Sequence, residues 1–580
     1  MLKPRIKRKK LFIYFSVFLI TMVMISSTAV SVALNPGTKL NIIANNKNTV
    51  LGPPDDGDNQ YTLSVPDFIG HYSGSTSNIQ VNDPQQSYPD GLLGRSETSI
   101  AATWDGRHLV AGWNDAQGFC GDPFGVPCTP QAGLSGYAYS TDGGKTWTDG
   151  GAPPLLDNVF TRGDPWLTSD GKNIFYANLA IDATTGADLG VSVHTGHFTH
   201  DGGFEWTDVQ VLSSPANKDN PDFDFYDKES ITMATDGSGA GYVSVTNFQG
   251  ICGIPQFGYG TITLWRTHDS GKTWQGPTVV SPDQSFVLDP NDPACGYYGS
   301  VQQGSVVGIG PHGEVYVTWV KGPTYTDEVS PYYVSPYSQI MEATSYDGGK
   351  TFKTPVVVST YNSAHNDAPV AFNRPTILDS PRISVATSGM HRGRVYISYF
   401  AAVSPVTNYL DYSIQEITST QVHLAYSDNG GRSWREGNVV ADPPQNTVKR
   451  FWPVVVTEPT GVVDIIYYQS IEDPSTQTQA CNMRLQNGQT RSGMAHSLMD
   501  VYWVQSFNGG RTFGKPFKVT TETTDWCNVA WNSYPNMGDY IGAAATFNHV
   551  FAVWADGRNG VPDTFFSNLT PFSYYGWHHD

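Results

Sequence analysis

Ser140-Thr141-Asp142-Gly143-Gly144-Lys145-Thr146-Trp147 decides the fold, because the chain repeats it. Five further copies follow the pattern Ser/Thr-x-Asp-x-Gly-x-Thr-Trp/Phe: Thr199 to Trp206, Thr267 to Trp274, Ser345 to Phe352, Ser427 to Trp434 and Ser506 to Phe513. The last two carry Asn429 and Asn508 where the others carry Asp142, Asp201, Asp269 and Asp347. The chemistry is that of a hairpin turn. Asp or Asn bonds the backbone of its own turn, Gly supplies positive φ, and the terminal aromatic packs beneath. One such turn would mean little; six copies at spacings of roughly 60 to 80 residues mark a repeat architecture. The Asp residues of the turns are read as turn formers, not as catalysts.

Two β-rich segments precede each copy, the second often ending in an aromatic. Glu97–Thr103 and His108–Asn114 precede the first, and Phe451–Thr457 and Val463–Tyr468 precede the sixth. A seventh pair, Tyr540–Thr546 and Val550–Trp554, follows the last copy and is succeeded by one more strand, Asp563–Ser567. That last unit lacks a fourth strand, and Ser77–Val81 is placed to supply it, which would hide the open edges of a linear array.

The repeated turn is similar to the Asp-box, and on it the chain resembles the sialidase-like superfamily of β-propellers. The expected fold is all-β: a β-propeller of four-stranded antiparallel blades, closed by an N-terminal strand. Seven blades are expected, or six if the seventh pair is a cap. Sialidases have six, and their Arg-Ile-Pro signature is absent from the first unit, which reads Arg95-Ser96-Glu97-Thr98-Ser99-Ile100.

Composition agrees with short strands and tight turns. Charged residues make up 15% of the 580-residue chain while aromatics reach 13%, and no apolar run at helical spacing appears after residue 35. A net charge of −19 argues against nucleic acid, which needs clustered Lys and Arg. The N-terminus reads as export: Lys3, Arg5 and Lys7 to Lys10 precede the apolar run Leu11 to Ile25. Cleavage sites are placed after Ala29 or Ala33; an uncleaved anchor is the alternative, since Leu11 to Gly37 carries no charge. The expected location is therefore extracellular or at the cell surface. Residues 1–34 are read as signal or anchor, 35–77 as a polar linker, 78–570 as the propeller and 571–580 as a tail.

In such a blade the first strand begins, and the second ends, on one face, while the repeated turn lies on the other. The residues that open the first strands are Arg95 and Glu97, Arg162 and Asp164, Asp227 to Glu229, Gln302 and Gln303, Arg382, Arg450, and Asp539 with Tyr540. Asp115, and Asp556 with Arg558, follow second strands. The resemblance implies a glycoside hydrolase acting on sialic acid or a related acidic sugar, with arginines clamping a carboxylate and a Glu-activated Tyr as nucleophile. By position and residue type, Glu229, Tyr540, Asp115 and Asp164 are the catalytic candidates. Arg95, Arg162, Arg382, Arg450, Asp539 and Arg558 are the substrate-binding candidates. A wet channel whose charges pair without function is the bland account.

Six cysteines in an exported chain suggest three disulfides, for which sequence alone permits fifteen connectivities. Their loop positions favour Cys120–Cys128, Cys252–Cys295 and Cys481–Cys527. No cofactor is expected, although the acidic stretch Asp219 to Asp227 offers oxygens for Ca²⁺. The expected partner is a carbohydrate or glycoprotein, with membrane contact only through the N-terminal anchor. A non-catalytic glycan- or protein-binding propeller is the alternative function.

Overall fold

The computed structural model describes residues 32–34, 38–40, 77–84, 93–116, 133–183, 188–213, 224–249, 257–282, 284–288, 297–298, 301–322, 337–364, 369, 377–404, 419–440, 444, 447–473, 480–484, 490–492, 496–529, 537–547 and 549–569. The chain divides into Met1–Phe68 and Ile69–Asp580. In the first unit the described residues form one antiparallel pair, Val32–Leu34 with Thr38–Leu40. The basic and apolar N-terminus, the acidic loop from Asp219 to Phe223 and the tail 571–580 lie outside the described residues. Among the described residues no helix is long and apolar enough to cross a membrane.

The second unit is all-β, a β-propeller built from antiparallel meanders. Arg95–Ala102, Leu109–Asp115, Ser135–Ser140 and Thr148–Gly151 form one sheet in that order. Val301–Ile309, Val315–Gly322, Tyr337–Ser345 and Val356–Asn362 form another. A nine-stranded sheet holds two successive meanders, beginning at Arg382–Val385 and Val448–Thr457, joined by the parallel bridge between Thr420 and Lys449. The middle strands read as near-continuous apolar runs, such as Val395-Tyr-Ile-Ser-Tyr-Phe-Ala-Ala402, because both their faces are covered.

Packing between sheets makes the array circular. The inner strands are Arg95–Ala102, Trp166–Ser169, Asp224–Met233, Val301–Ile309, Arg382–Val385, Val448–Thr457 and Gly542–Ala545; each touches the next, and the last returns to the first. Apolar clusters fill the wedges: Ala101 and Val110 meet Leu167, Ile174 and Tyr176 across one, and Ile100 and Trp113 meet Phe551, Val553 and Phe566 across the junction of last and first sheets. Fully burying a Val, Leu, Ile or Phe side chain is worth about 1.5–3 kcal/mol, so these contacts contribute substantially to holding the ring.

That junction is also closed by hydrogen bonds. Ile79–Gln80 pairs antiparallel with Asp563–Leu569, filling the vacant outer place of the last sheet as its missing fourth strand requires. Asn78 ties the last sheet to the one before it, donating to the Val519 carbonyl at 3.0 Å and accepting from Thr521 N at 2.6 Å and from Arg558 Nη2 of the last sheet at 2.9 Å.

The six repeated turns all join third and fourth strands of a sheet. In the first, Asp142 accepts from Lys145 N, Thr146 N and Thr146 Oγ1, while Ser140 Oγ accepts from the buried Gly144 N at 2.9 Å. The Trp147 indole donates to the Gly144 carbonyl at 3.2 Å. Asn429 and Asn508 keep the backbone bond, accepting at 3.0 Å from Ser433 N and Thr512 N respectively. These bonds hold Asp269 down to about 2, with the Thr273 hydroxyl and N–H the leading causes.

Candidate functional site at the opening of the inner strands

The inner strands open through one repeated distortion. Their registers slip between Ser96 and Ser99, Asp227 and Ser230, Gln303 and Val306, and Phe451 and Val454. At these bulges, and at the matching places of two further strands, the backbone turns left-handed: Glu97 (φ 51), Asp164 (φ 57), Lys228 (φ 54), Gly304 (φ 67), Trp452 (φ 46) and Gly538 (φ 75). Glycine takes that conformation freely; other residues are strained there by about 1–3 kcal/mol, and such strain gathers at functional sites.

Three of the strained side chains meet. Lys228 Nζ lies 2.9 Å from Asp164 Oδ2, 3.2 Å from Glu97 Oε1 and 2.9 Å from Asp539 Oδ2. Asn114 locks two of these partners, donating to Glu97 Oε2 at 2.6 Å and accepting from Asp164 N at 2.7 Å. Gln303 donates to Asp227 on the next side of the ring. Two glycines permit this closeness. A Cβ on Gly538 would stand 2.1 Å from Glu97 Cγ, and one on Gly163 would stand 2.6 Å from Asn114 Oδ1.

The environments drive these groups apart in acidity. Burial, then Asp164, raises Glu97 well above the usual carboxylate range. Burial would also raise Asp164, but the adjacent Lys228 ammonium outweighs it and holds Asp164 below its ordinary value. Burial pushes Asp227 up to about 6 and Asp188 up to about 7. Burial would discharge Lys228, yet Asp164, Asp539 and Glu97 keep it firmly charged. Glu229 is 2% exposed, neither of its oxygens has a hydrogen-bond partner among the described residues, and burial raises it well above the usual carboxylate range.

The remaining candidates occupy four settings. Tyr540 is buried with its hydroxyl donating to the Pro165 carbonyl at 3.0 Å, and burial raises its pKa well above the ordinary value. A neutral phenol committed to a backbone carbonyl is a poor nucleophile. Arg382 lies 4.7 Å over the Trp166 ring and 5.1 Å over the Tyr540 ring, with no carboxylate at ion-pairing distance among the described residues; burial lowers it to about 10. Arg450 is held by Gln469 Oε1 at 2.9 Å and Gln421 Oε1 at 3.0 Å. Arg162 is exposed, and its charge lowers Asp188 and Asp227. Arg95 pairs with Asp115 at 3.4 Å and Asp563 at 3.9 Å, and Arg558 pairs with Asp556 at 2.7 Å. Arg382 thus stands over the cluster's aromatic wall, while Arg95 and Arg558 sit in ion pairs of the first and last sheets.

Reading the strand openings in sequence names Glu97, Asp164, Asp227, Lys228, Glu229 and Asp539 but misses Asn114, Trp166, Asp188 and the supporting role of Gly538. Aligning Gly304 and Gly538 with Glu97, Asp164 and Lys228 would have flagged the strained position.

A second cluster, His496, Asp525 and Cys527, brings ligand-type atoms within 4.8 Å of one another. Cys527 is disulfide-bonded, so its sulfur offers no thiolate, and His496 Nδ1 is already 2.6 Å from Asp525 Oδ2. The partner of Cys527 and the other five cysteines lie outside the described side chains. In the acidic stretch considered for Ca²⁺, the described carboxylate is Asp227, which belongs to the Lys228 cluster.

No protein-family profile matches the chain, and no curated protein sequence resembles it. Among solved structures, a Dyadobacter fermentans protein of unknown function is 15% identical, with 68% of this chain and 94% of that one covered and a TM-score of 0.36. A Trypanosoma rangeli sialidase is 13% identical, covering 84% of this chain and 75% of that one at a TM-score of 0.38. A Fusarium graminearum α-L-arabinofuranosidase is 11% identical, covering 86% and 98% at a TM-score of 0.37. Likeness of this order assigns neither a substrate nor a reaction.

Proposed function

We propose that the chain is an exported, seven-bladed, Asp-box propeller that hydrolyses a glycosidic bond where the inner strands open. The observation that carries this reading is the pair Asp164 and Asp227, which flank Lys228 on neighbouring inner strands with acidities pushed in opposite directions. Glycoside hydrolysis needs one carboxylic acid for the leaving oxygen and one carboxylate as base or nucleophile. Asp227, at about 6, suits the acid; Asp164, held ionised by Lys228, suits the carboxylate. Glu229 and Tyr540 then act as buried supports, and Asp115 as the partner of Arg95.

An acidic sugar such as a sialoside is the first substrate class to test, because Arg382 is a buried cation beside the cluster without a carboxylate partner among the described residues. Seven blades follow if the nine-stranded sheet is counted as two, and the ring of inner-strand contacts supports that count. Export rests on the N-terminal sequence, and Cys481–Cys527 is the pairing proposed for the disulfide at Cys527.

A second reading, a glycan-binding propeller without turnover, is favoured by one feature: Lys228 already has three carboxylate neighbours and leaves little charge for a ligand. Fluorogenic sialosides and arabinofuranosides, offered to the wild type and to Asp164→Asn and Asp227→Asn, separate the two. Hydrolysis reduced by about 10²–10⁴-fold in each variant is expected. Glycan-array binding with no turnover of any glycoside would replace hydrolysis by the binding reading.

A further inference from the structure

We propose that Glu97 is a positioning residue that keeps a proton of its own and uses it to hold Asp164 as an oriented carboxylate; this role rests on the hydrolytic reading above. Glu97 and Asp164 open neighbouring inner strands, and together with Asp539 they crowd the single Lys228 ammonium, at 3.2, 2.9 and 2.9 Å. Three buried carboxyls around one ammonium cannot all stay ionised cheaply, because like charges in a dry site repel and each is desolvated, so one of them keeps a proton and can donate it to a neighbouring carboxylate.

Position decides which group keeps it. Glu97 is 2% exposed, whereas the Asp164 side chain retains 13% and stands closer to the Lys228 ammonium, at 2.9 Å against 3.2 Å. The negative charge is better placed on the wetter group nearer the cation, which leaves the proton on Glu97. The other charged or titratable groups facing Glu97 are Asp539, which also favours the neutral acid, and Arg382 and Tyr540 at the aromatic wall.

Orientation is fixed from two sides. Asn114 grips the Glu97 carboxyl with its amide nitrogen and the Asp164 backbone with its amide oxygen, coupling the two strands through one side chain. Gly538 brings the last sheet against Glu97, where any side chain would collide. Glu97 is too deep to touch substrate itself, so it acts through Asp164.

The pH dependence of kcat/KM reads this role. Glu97→Gln retains a donor toward Asp164 and should stay within about tenfold of wild type, whereas Glu97→Ala should lose about 10²-fold or more. Glu97→Ala should also move the acidic limb of the profile upward by about one pH unit or more, because Asp164 loses its donor. Asn114→Ala, melted alongside to check folding, should move the same limb. An unmoved limb in Glu97→Ala, or a loss in Glu97→Gln as large as in Glu97→Ala, would overturn the proposal.

A second measurement needs no substrate. Infrared difference spectra between wild type and Glu97→Gln at about pH 7 should show one carboxylic-acid band present only in the wild type, since an unperturbed Glu would be ionised there. Absence of that band refutes the protonated Glu97 even if glycosides are hydrolysed. Its presence without turnover of any glycoside refutes the hydrolytic reading, and the positioning role with it.

Discussion

Replacing Lys228 by Met should destabilise the protein in a way that depends on pH. Met keeps most of the apolar stem and removes the charge. The ammonium lies within 3.2 Å of three carboxyl oxygens, and its side chain is only 13% exposed. Removing one member of a buried ion pair costs about 3–5 kcal/mol, because the charges left behind stay desolvated. Part of that cost can be relieved by proton uptake. In the wild type Lys228 holds Asp164 below its ordinary value, so Asp164 contributes stability that is present above about pH 4 and lost as pH falls. Without Lys228, burial governs and Asp164 rises, which reverses the sign: its contribution is then full below about pH 4 and lost as pH rises. Every tenfold change in acidity between folded and unfolded chain is worth about 1.4 kcal/mol. Melting both proteins at about pH 4.5 and about pH 7.5 should therefore give a gap at the higher pH at least about twice that at the lower. Equal gaps, or a wider one in acid, would mean that the cluster is held by packing rather than by charge.

Two further outcomes follow from buried groups. Glu342 is 1% exposed, accepts a bond from Thr344 Oγ1 at 2.8 Å, and is pushed by burial up to about 8. A raised carboxyl stabilises fully below its unfolded value and loses that contribution as pH rises through 8, so Glu342→Gln should flatten the decline of melting temperature between about pH 5 and pH 8; an unchanged slope refutes a protonated Glu342. Gly538→Ala should lower the melting temperature far more than Gly313→Ala. Both glycines are left-handed, but only at Gly538 does a Cβ meet Glu97; equal losses would show that backbone strain, not the contact with Glu97, is what the site demands.

The repeated turns made the fold legible. Their Asp and Gly residues act locally, within four residues, so their meaning survives without tertiary knowledge. The closing strand was legible for a related reason: a unit short of one strand leaves a bare edge, and Ser77–Val81 was the nearby β-rich segment able to cover it. The meeting of Glu97, Asp164, Lys228 and Asp539 was only half legible. Sequence placed all four at strand openings but could not say that Lys228 reaches across to three sheets, because that depends on the ring's radius and on side chains absent at Gly163 and Gly538. Arg95 and Arg450 show the converse. Residue type alone made them look like substrate clamps, whereas neighbours from other strands, Asp563 for one and Gln421 for the other, already engage them.

Strain and chemistry coincide in this ring for a physical reason. A left-handed residue at the opening of an inner strand is free for Gly304 and Gly538 but unfavourable by about 1–3 kcal/mol for any other side chain. Trp452 offsets that with packing: its indole donates to the Leu378 carbonyl at 3.0 Å and its ring lies edge-on to Phe451. Glu97, Asp164 and Lys228 are polar and cannot offset it that way. Their compensation is one another, across three sheets, which is available only while the ring is closed. Asp539 and Gly538 come from the last sheet and Glu97 from the first, so the charge cluster is assembled across the junction of those two sheets, and the 79–80 strand paired to the last sheet lies in the chain segment that leads into the first. The charge cluster therefore exists only where the first and last sheets stand side by side. A sequence could keep strained, charged residues at these positions only if the closed state repaid them, and the acidity of Asp164 is set by the same contacts that do so.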